Sequence, residues 1–319
     1  MKGSYVKIIW KILSVVAFSM PLFAELNDDN YTAEDLLAMS SLNSEEDQNP
    51  FSIDISFEGT GRSNFKHEKC KRHLKDLQFA IAEIDGSAVF YYNPCYKEGL
   101  LATLAYSHTN INWKNPYFKQ QQFDTMSLAI GGFTERAGNW LWKGEVRLNA
   151  DIDYFDIQNN LYWNIVLAGR YAYTECFGIN MGFIVFTGMK IDRIYPILGI
   201  DWKINDRWKL NLVYPTNIGV IYTYNPQWSF SLSSRSFDER HRVGDAKRKV
   251  WEKGLIEYRA TGVEAGINFT TCDEKWLANL HVGEILGGRL KIWKRHHNDS
   301  KRYKFKTAPY VGGEIAGRF

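Results

Sequence analysis

The sequence predicts an all-β fold, a transmembrane antiparallel up-and-down β-barrel of about 14 strands, and three observations predict it. The first is strict alternation. In residues 140–152, Trp142, Gly144, Val146, Leu148, Ala150 and Ile152 fall on one parity, and Lys143, Glu145, Arg147, Asn149 and Asp151 on the other. Successive strand side chains point to opposite faces, so one face is apolar and one polar, whereas a helix would mix the two sets around its circumference. The second is repetition: the pattern recurs in nearly every later segment, with aromatics near the strand ends, as a barrel with lipid outside and water inside requires. The third is the C-terminal run, where Val311, Gly313, Ile315, Gly317 and Phe319 share one parity.

Composition agrees. Aromatics make up 15% of the chain, Gly outnumbers Pro 25 to 8, and neither helical stripes nor a doubly wound pattern is found. The mean hydropathy of −0.35 excludes a polytopic helical membrane protein. The net charge of +3 is too small to indicate a partner before it is mapped onto position.

In chain order, Lys2, Lys7 and Lys11 precede an apolar core from Ile12 to Phe23, and Ala24 offers a small residue near a cleavage site, so 1–24 reads as a signal peptide. The apolar core is too short for a comfortable membrane span. Residues 25–50 carry Glu25, Asp28, Asp29, Glu34, Asp35, Glu45, Glu46 and Asp47 without a single Lys or Arg. They read as a solvated acidic periplasmic linker, or alternatively as a plug for a basic lumen. Residues 51–319 form the barrel.

Phe51, Ile53, Ile55 and Phe57 open the first strand, and 63–76 reads as a basic loop. Residues 77–92 are strand-like, with a parity slip near Glu83–Gly86 that a bulge, or two shorter strands, would explain. Strands follow on the faces of Leu100, Leu104 and Tyr106, of Met126, Leu128 and Ile130, then of 140–152 and of Trp163, Ile165 and Leu167. Ile179, Met181 and Phe183 mark the next. Three close strands are then divided by turns at Asn205-Asp206, Pro215-Thr216 and Asn225-Pro226. A long charged loop is expected from Ser236 to Lys253, then a strand over 256–269 with a parity shift near Gly262. Trp276 to Ile292 reads as one long strand of constant even parity, and 294–306 as a second basic loop.

The segments together resemble a bacterial family of uncharacterised, porin-like outer-membrane β-barrel proteins, over roughly Phe51 to the end. The resemblance rests on the strand pattern, the stretch YPILGIDWKINDRWKLNLVYP (Tyr195–Pro215) and the terminal Phe319. It implies fold and location, the bacterial outer membrane, and no activity. An aromatic terminal residue with apolar residues at alternate positions before it is the insertion signal read by the barrel assembly machinery.

Running strands backwards from a last strand that points to the periplasm places the short connections 93–98, 135–139, 174–177, 204–206, 225–226 and 272–275 on the periplasmic side. The longer 63–76, 109–121, 236–254 and 294–306 then fall outside, which is the rule for such barrels. The count is about 14, with 12 and 16 open.

Catalytic chemistry is thin. The seven His are scattered, the His296-His297 pair would point apart in an extended loop, and His281 with some lumen Ser is the one arrangement from which hydrolysis could be built. The reading is therefore of a non-enzyme without metal, cofactor or nucleic-acid partner. By parity the lumen holds Lys143, Arg147, Arg170, Lys203, Arg207, Lys209, Arg259 and Arg289 against fewer acids, among them Glu145, Asp201, Glu257 and Glu314. Charged rings of this kind set pore selectivity, and a wall salt-bridge network is the alternative. The expected outer loops are basic, with Arg240, His241 and Arg242 in one and Lys294, Lys301 and Lys304 in another, suited to lipopolysaccharide phosphates.

Two functions follow as expectations: a diffusion porin for small solutes with a mild anion preference, or a structural or adhesive surface barrel with a closed lumen. Of the four cysteines, Cys70 maps outside and Cys95, Cys176 and Cys272 to separate periplasmic turns. Internal disulfides are therefore disfavoured by distance, and self-association or envelope crosslinks through the three thiols are expected in the structural reading.

Overall fold

The computed structural model describes residues 50–67, 73–113, 117–153, 160–189, 192–215, 217–245, 247, 251–294 and 300–319. The signal peptide, the acidic segment up to residue 49 and Cys70 lie outside the described residues. The strand segments are β1 (Phe51–Thr60), β2 (Ser63–His67), β3 (His73–Asn93), β4 (Glu98–Asn112), β5 (Gln122–Ala137), β6 (Trp140–Asp151), β7 (Leu161–Thr174) and β8 (Phe177–Gly188). They continue as β9 (Arg193–Lys203), β10 (Trp208–Tyr214), β11 (Asn217–Thr223), β12 (Trp228–Arg242), β13 (Leu255–Thr270), β14 (Trp276–Trp293), β15 (Ser300–Phe305) and β16 (Ala308–Arg318).

Because β3 pairs with both β1 and β2, and β14 with both β15 and β16, two of the sixteen segments are upper continuations of their neighbours. The wall therefore has 14 antiparallel strands, each paired with its sequence neighbours. The first and last close the circle from Ser52↔Arg318 to Thr60↔Tyr310. Closure leaves no open edge around the lower wall, which a span through hydrocarbon requires.

The alternation sets the two faces. Ile53, Ile55, Leu104, Leu128, Ile130, Phe183, Leu232 and Val282 are exposed on the outside, while Ser56, Thr103, Ser127, Asn149 and Asn164 point in. Aromatics cluster at the end carrying the chain termini, as Trp140–Trp142, Trp140–Tyr171, Trp208–Tyr222, Trp228–Phe269 and Trp276–Phe319 ring contacts 4.8–5.4 Å apart. An apolar belt with such a girdle is the exterior of a transmembrane barrel. All the connections between strands at this end are short turns, where the periplasmic turns were expected.

At the opposite end three expected loops are partly strand. β2 pairs with β3 and β15 across 63–67, β12 runs to Arg242, and β13 starts at Leu255. β10 and β11 are short, and above Leu198 of β9 and Ser234 of β12 the wall has no β10 or β11 partner among the described residues. The β12–β13 hairpin is longer and leans into the mouth.

The expected parity slips move accordingly. β3 keeps its parity through Glu83–Gly86; Leu77, Phe79 and Ile81 face inward because the mouth itself is apolar, and the bulge sits at Phe90. In the β13–β14 pair the extra residue is Leu286, opposite the Thr261/Gly262 step, next to Gly287 with φ of 147°. Glycine reaches that conformation without a Cβ penalty. β14 is one long strand, as expected, but its parity is not constant. Beyond the bulge Leu290 and Ile292 turn inward and are fully buried.

Candidate functional site

The lumen has two halves. The upper half, at the end away from the termini, is filled. Phe79, Ile111, Trp113, Phe118, Phe123, Phe237, Tyr258, Ile285, Leu290, Ile292, Tyr303 and Phe305 belong to one buried apolar cluster. Its centre is the leaning hairpin. On one face Tyr258 stacks on Phe79 at 4.2 Å, Phe237 meets the same ring edge-on at 6.0 Å, and His241 stacks on Phe123 at 4.7 Å. On the other face Arg193 of β9 pairs with Asp238 at 3.3 Å and with Glu257. Asp238 also holds Arg240 at 3.2 Å, Glu257 holds Arg259 at 2.6 Å, and the Arg240 guanidinium lies over Phe186. The tip is tied down where the Arg242 amide donates to Asp151 Oδ2 and the Gly244 amide to Gln120 Oε1.

The hairpin thus touches β3, β5, β6, β8 and β9, on both sides of the barrel, and closes the mouth. Arg240, His241 and Arg242, expected in a solvated basic loop, are buried to within 4% of full burial. Burying charge is costly unless it is paired: Asp238 and Glu239 of the same run pair with Arg240 and His241, and Arg193 of β9 and Asp151 of β6 are brought to the run from distant strands.

Beneath the stopper a polar cluster forms the roof of the lower lumen. Arg235 of β12 pairs with Glu58 of β1 and with Glu264 of β13 at 2.8 Å, and Tyr310 of β16 donates to Glu264 at 2.8 Å. His281 packs beneath with Nδ1 at 2.6 Å from Asn279. Ser233 donates to Glu264 rather than to a histidine, so the roof holds charge, not a hydrolytic Ser–His pair.

The lower half is polar and in part exposed to solvent, with Ser52, Ser56, Ser229, Ser231 and Asn268 lining it. Its charge is divided. On β6–β10 the cations Lys143, Arg147, Arg170, Lys203 and Lys209 outnumber the carboxylates Glu145 and Asp201; on β1, β3 and β16 stand the carboxylates Asp54, Glu83, Asp85 and Glu314. Arg147 bonds Glu145 at 3.0 Å, and Arg170 grips Asp201 through Nε and Nη2, at 3.0 and 2.6 Å.

Of the charged residues read as lumen-lining, Lys143, Glu145, Arg147, Arg170 and Lys209 face the lower lumen. Arg259 and Arg289 are cross-strand partners on the opposite face of the hairpin from Tyr258 and Leu290. Their place differs from the expected one because the bulge lies in β14 rather than β13. Arg193, Asp238 and Arg235, which hold the stopper, were not singled out by parity. The signal for them was the switch of apolar residues to the inner face at Leu77–Ile81 and 290–292.

Cys95, Cys176 and Cys272 are free and exposed in turns at the terminus-bearing end. Phe319 exchanges backbone hydrogen bonds with Phe51 at 2.9 and 3.2 Å and packs on Trp276, so the last residue locks the barrel seam.

Fold and lumen together define a transmembrane β-barrel whose interior is polar below and stoppered above. No known protein-family profile matches the chain. It is similar to an uncharacterized protein of Chlamydia pneumoniae, 23% identical over 285 residues covering 85% of this chain and 87% of the relative. A second, from Chlamydia trachomatis serovar D, is 24% identical over 254 residues, 75% and 79% of the two chains. Among solved structures, an outer-membrane channel from Pseudomonas putida F1 aligns over 87% of this chain and 98% of its own with TM-score 0.47 and 9% identity. A mutant of the TodX monoaromatic hydrocarbon channel aligns over 86% and 91% with TM-score 0.45 and 8% identity.

Proposed function

We propose that the protein is a channel of the bacterial outer membrane for small solutes, mildly selective for anions, with the β12–β13 hairpin as its gate. The termini and short turns face the periplasm and the stoppered mouth faces outward. The observation that carries this reading is the asymmetry of the stopper. One face is packed through Phe79, Phe123, Phe237 and Tyr258; the other is held by ion pairs to Arg193, with a smaller apolar contact at its outer end where Leu255 packs with Tyr162 and Met189. An ionic seam separates into water at far lower cost than an apolar one, so the hairpin swings from the β8–β9 wall while its apolar face stays attached. The lower lumen is already lined for water-borne solutes. Solute conductance of the purified barrel in planar bilayers tests the proposal: open steps support it, and permanent silence opposes it.

The closed mouth also favours a second reading, a structural barrel, with the exposed thiols of Cys95, Cys176 and Cys272 available to neighbouring proteins. Silence in bilayers together with reductant-sensitive ladders on non-reducing gels would support it.

A further inference from the structure

We infer that the outer face of β14–β15 binds a phosphate of a membrane lipid, held between Lys291 and Arg302 in a basic field that Arg289 and Lys304 extend. This goes beyond the channel reading and needs no conduction; it takes from that reading only the orientation that makes the lipid one of the outer leaflet.

The bulge at Leu286 creates the site. Beyond it Leu290 and Ile292 turn into the filled mouth, so Arg289 and Lys291 turn outward. On β15 the buried Tyr303 and Phe305 fix the same choice, which leaves Arg302 and Lys304 exposed on the outer face. The register then sets Lys291 directly opposite Arg302, and Arg289 directly opposite Lys304. Of the lysines expected in a solvated loop here, Lys304 joins this face. Lys301 stands opposite Ile292 on the other parity, and Lys294 lies over the Trp251 ring at 5.7 Å.

Directly opposed side chains have Cβ atoms about 4.5–5.5 Å apart, and like charges so placed destabilise the pair. Neither Lys291 nor Arg302 has an ion pair among the described residues; the Lys291 ammonium rests over the Trp293 ring at 4.0 Å. Glu257, opposite Lys291 on β13, is engaged by Arg193 and Arg259. An ammonium and a guanidinium at this spacing can share one phosphate, which takes the fork of the arginine on two oxygens and the point charge of the lysine on a third.

Height selects a lipid as the source of that phosphate. From Trp276 in the aromatic girdle to Leu286, the last exposed apolar residue of β14, the strand advances about 33 Å at about 3.3 Å per residue. A tilt of about 40° turns that length into about 25 Å of height, which is the apolar band of such barrels. Arg289, the next outward side chain, starts about 8 Å higher by the same rise and tilt, and its stem and that of Lys291 reach the headgroup layer just outside the hydrocarbon. A soluble anion has no reason to stop at this height, whereas a lipid phosphate is held there by its own chains.

The test is native mass spectrometry of the full-length barrel in neutral detergent with diphosphorylated lipid A, and with the same lipid after removal of its phosphates. We expect the phosphorylated form to be retained at least tenfold better. The Lys291→Gln/Arg302→Gln double variant should lose that preference, as removal of two cations from an anionic lipid surface implies. Lys291→Arg should keep it, as should Lys97→Gln/Lys275→Gln, which removes two cations at the end carrying the termini. Heat-modifiable gel mobility verifies that each variant is folded. Equal retention of the two lipids by the wild type, or an unchanged preference in the folded double variant, would overturn the site. So would displacement of the lipid by inorganic phosphate beyond that by chloride at equal ionic strength, which would make it a free-anion site, or displacement by heparin, which would make the face a surface for soluble polyanions. A barrel that holds the lipid but never conducts would keep the site and refute the channel; one that conducts but does not hold it would do the reverse.

Discussion

Arg193→Met should open the mouth. The side chain of Arg193 is largely buried and joins the β9 wall to two acids of the leaning hairpin, Asp238 and Glu257. Methionine keeps much of the stem's bulk and removes both charged contacts. The acids are not stranded, because Asp238 keeps Arg240 at 3.2 Å and Glu257 keeps Arg259 at 2.6 Å. The loss is therefore that of two charge-assisted hydrogen bonds, about 1.5 kcal/mol each at the lower end of their range, or about 3 kcal/mol. At about 1.4 kcal/mol per factor of ten, the closed-to-open ratio falls about a hundredfold. Single-channel recording of wild type and variant under the same salt and voltage reads this as a rise in open probability. Unchanged open probability in a folded, conducting variant would refute the ionic seam as the latch.

Two further outcomes follow from the wall and the turns. Leu104→Arg places a charge on the outward face at a position 55% exposed, and should cost about 2–4 kcal/mol if it lies near the bilayer midplane; denaturant titration in lipid vesicles measures it, and a cost near zero would remove Leu104 from the lipid belt. A membrane-impermeant maleimide should label Cys95, Cys176 and Cys272 only after the periplasmic side is opened; labelling of these three turns in intact cells would invert the orientation.

The wall was legible because its chemistry is local. In residues 140–152 every second side chain meets lipid and the others meet the lumen, so period two alone gives the faces, and the short turns fall where Asn205, Asn225 and Asp273 accept backbone amides. The stopper was not legible, for two physical reasons. Apolar residues at Leu77, Phe79, Leu290 and Ile292 have the same periodicity whether they face lipid or a filled mouth, so the change of face reads as a bulge or not at all. The run Asp238–Arg242 is charged and looks like a loop; it is buried only because Arg193, Asp151 and Phe123 are brought to it from distant strands. Of the lumen cations, those on regular wall strands could be placed by parity. Arg259 and Arg289 could not, because one residue, Leu286, decides their side.

The central claim is that the hairpin gates a conducting lumen. The direct measurement is conductance of an Arg193→Cys/Asp238→Cys variant whose two thiols are joined through a short bis-methanethiosulfonate spacer, because an Arg–Asp contact leaves more room than a direct disulfide spans; it is recorded in planar bilayers before and after reduction, with the other cysteines replaced by serine. Silence is predicted while the bridge holds the hairpin to β9, and open steps once it is reduced. Equal conductance in both states would show that solutes do not pass the hairpin, and silence in both, with the wild type also silent, would show that the barrel is closed.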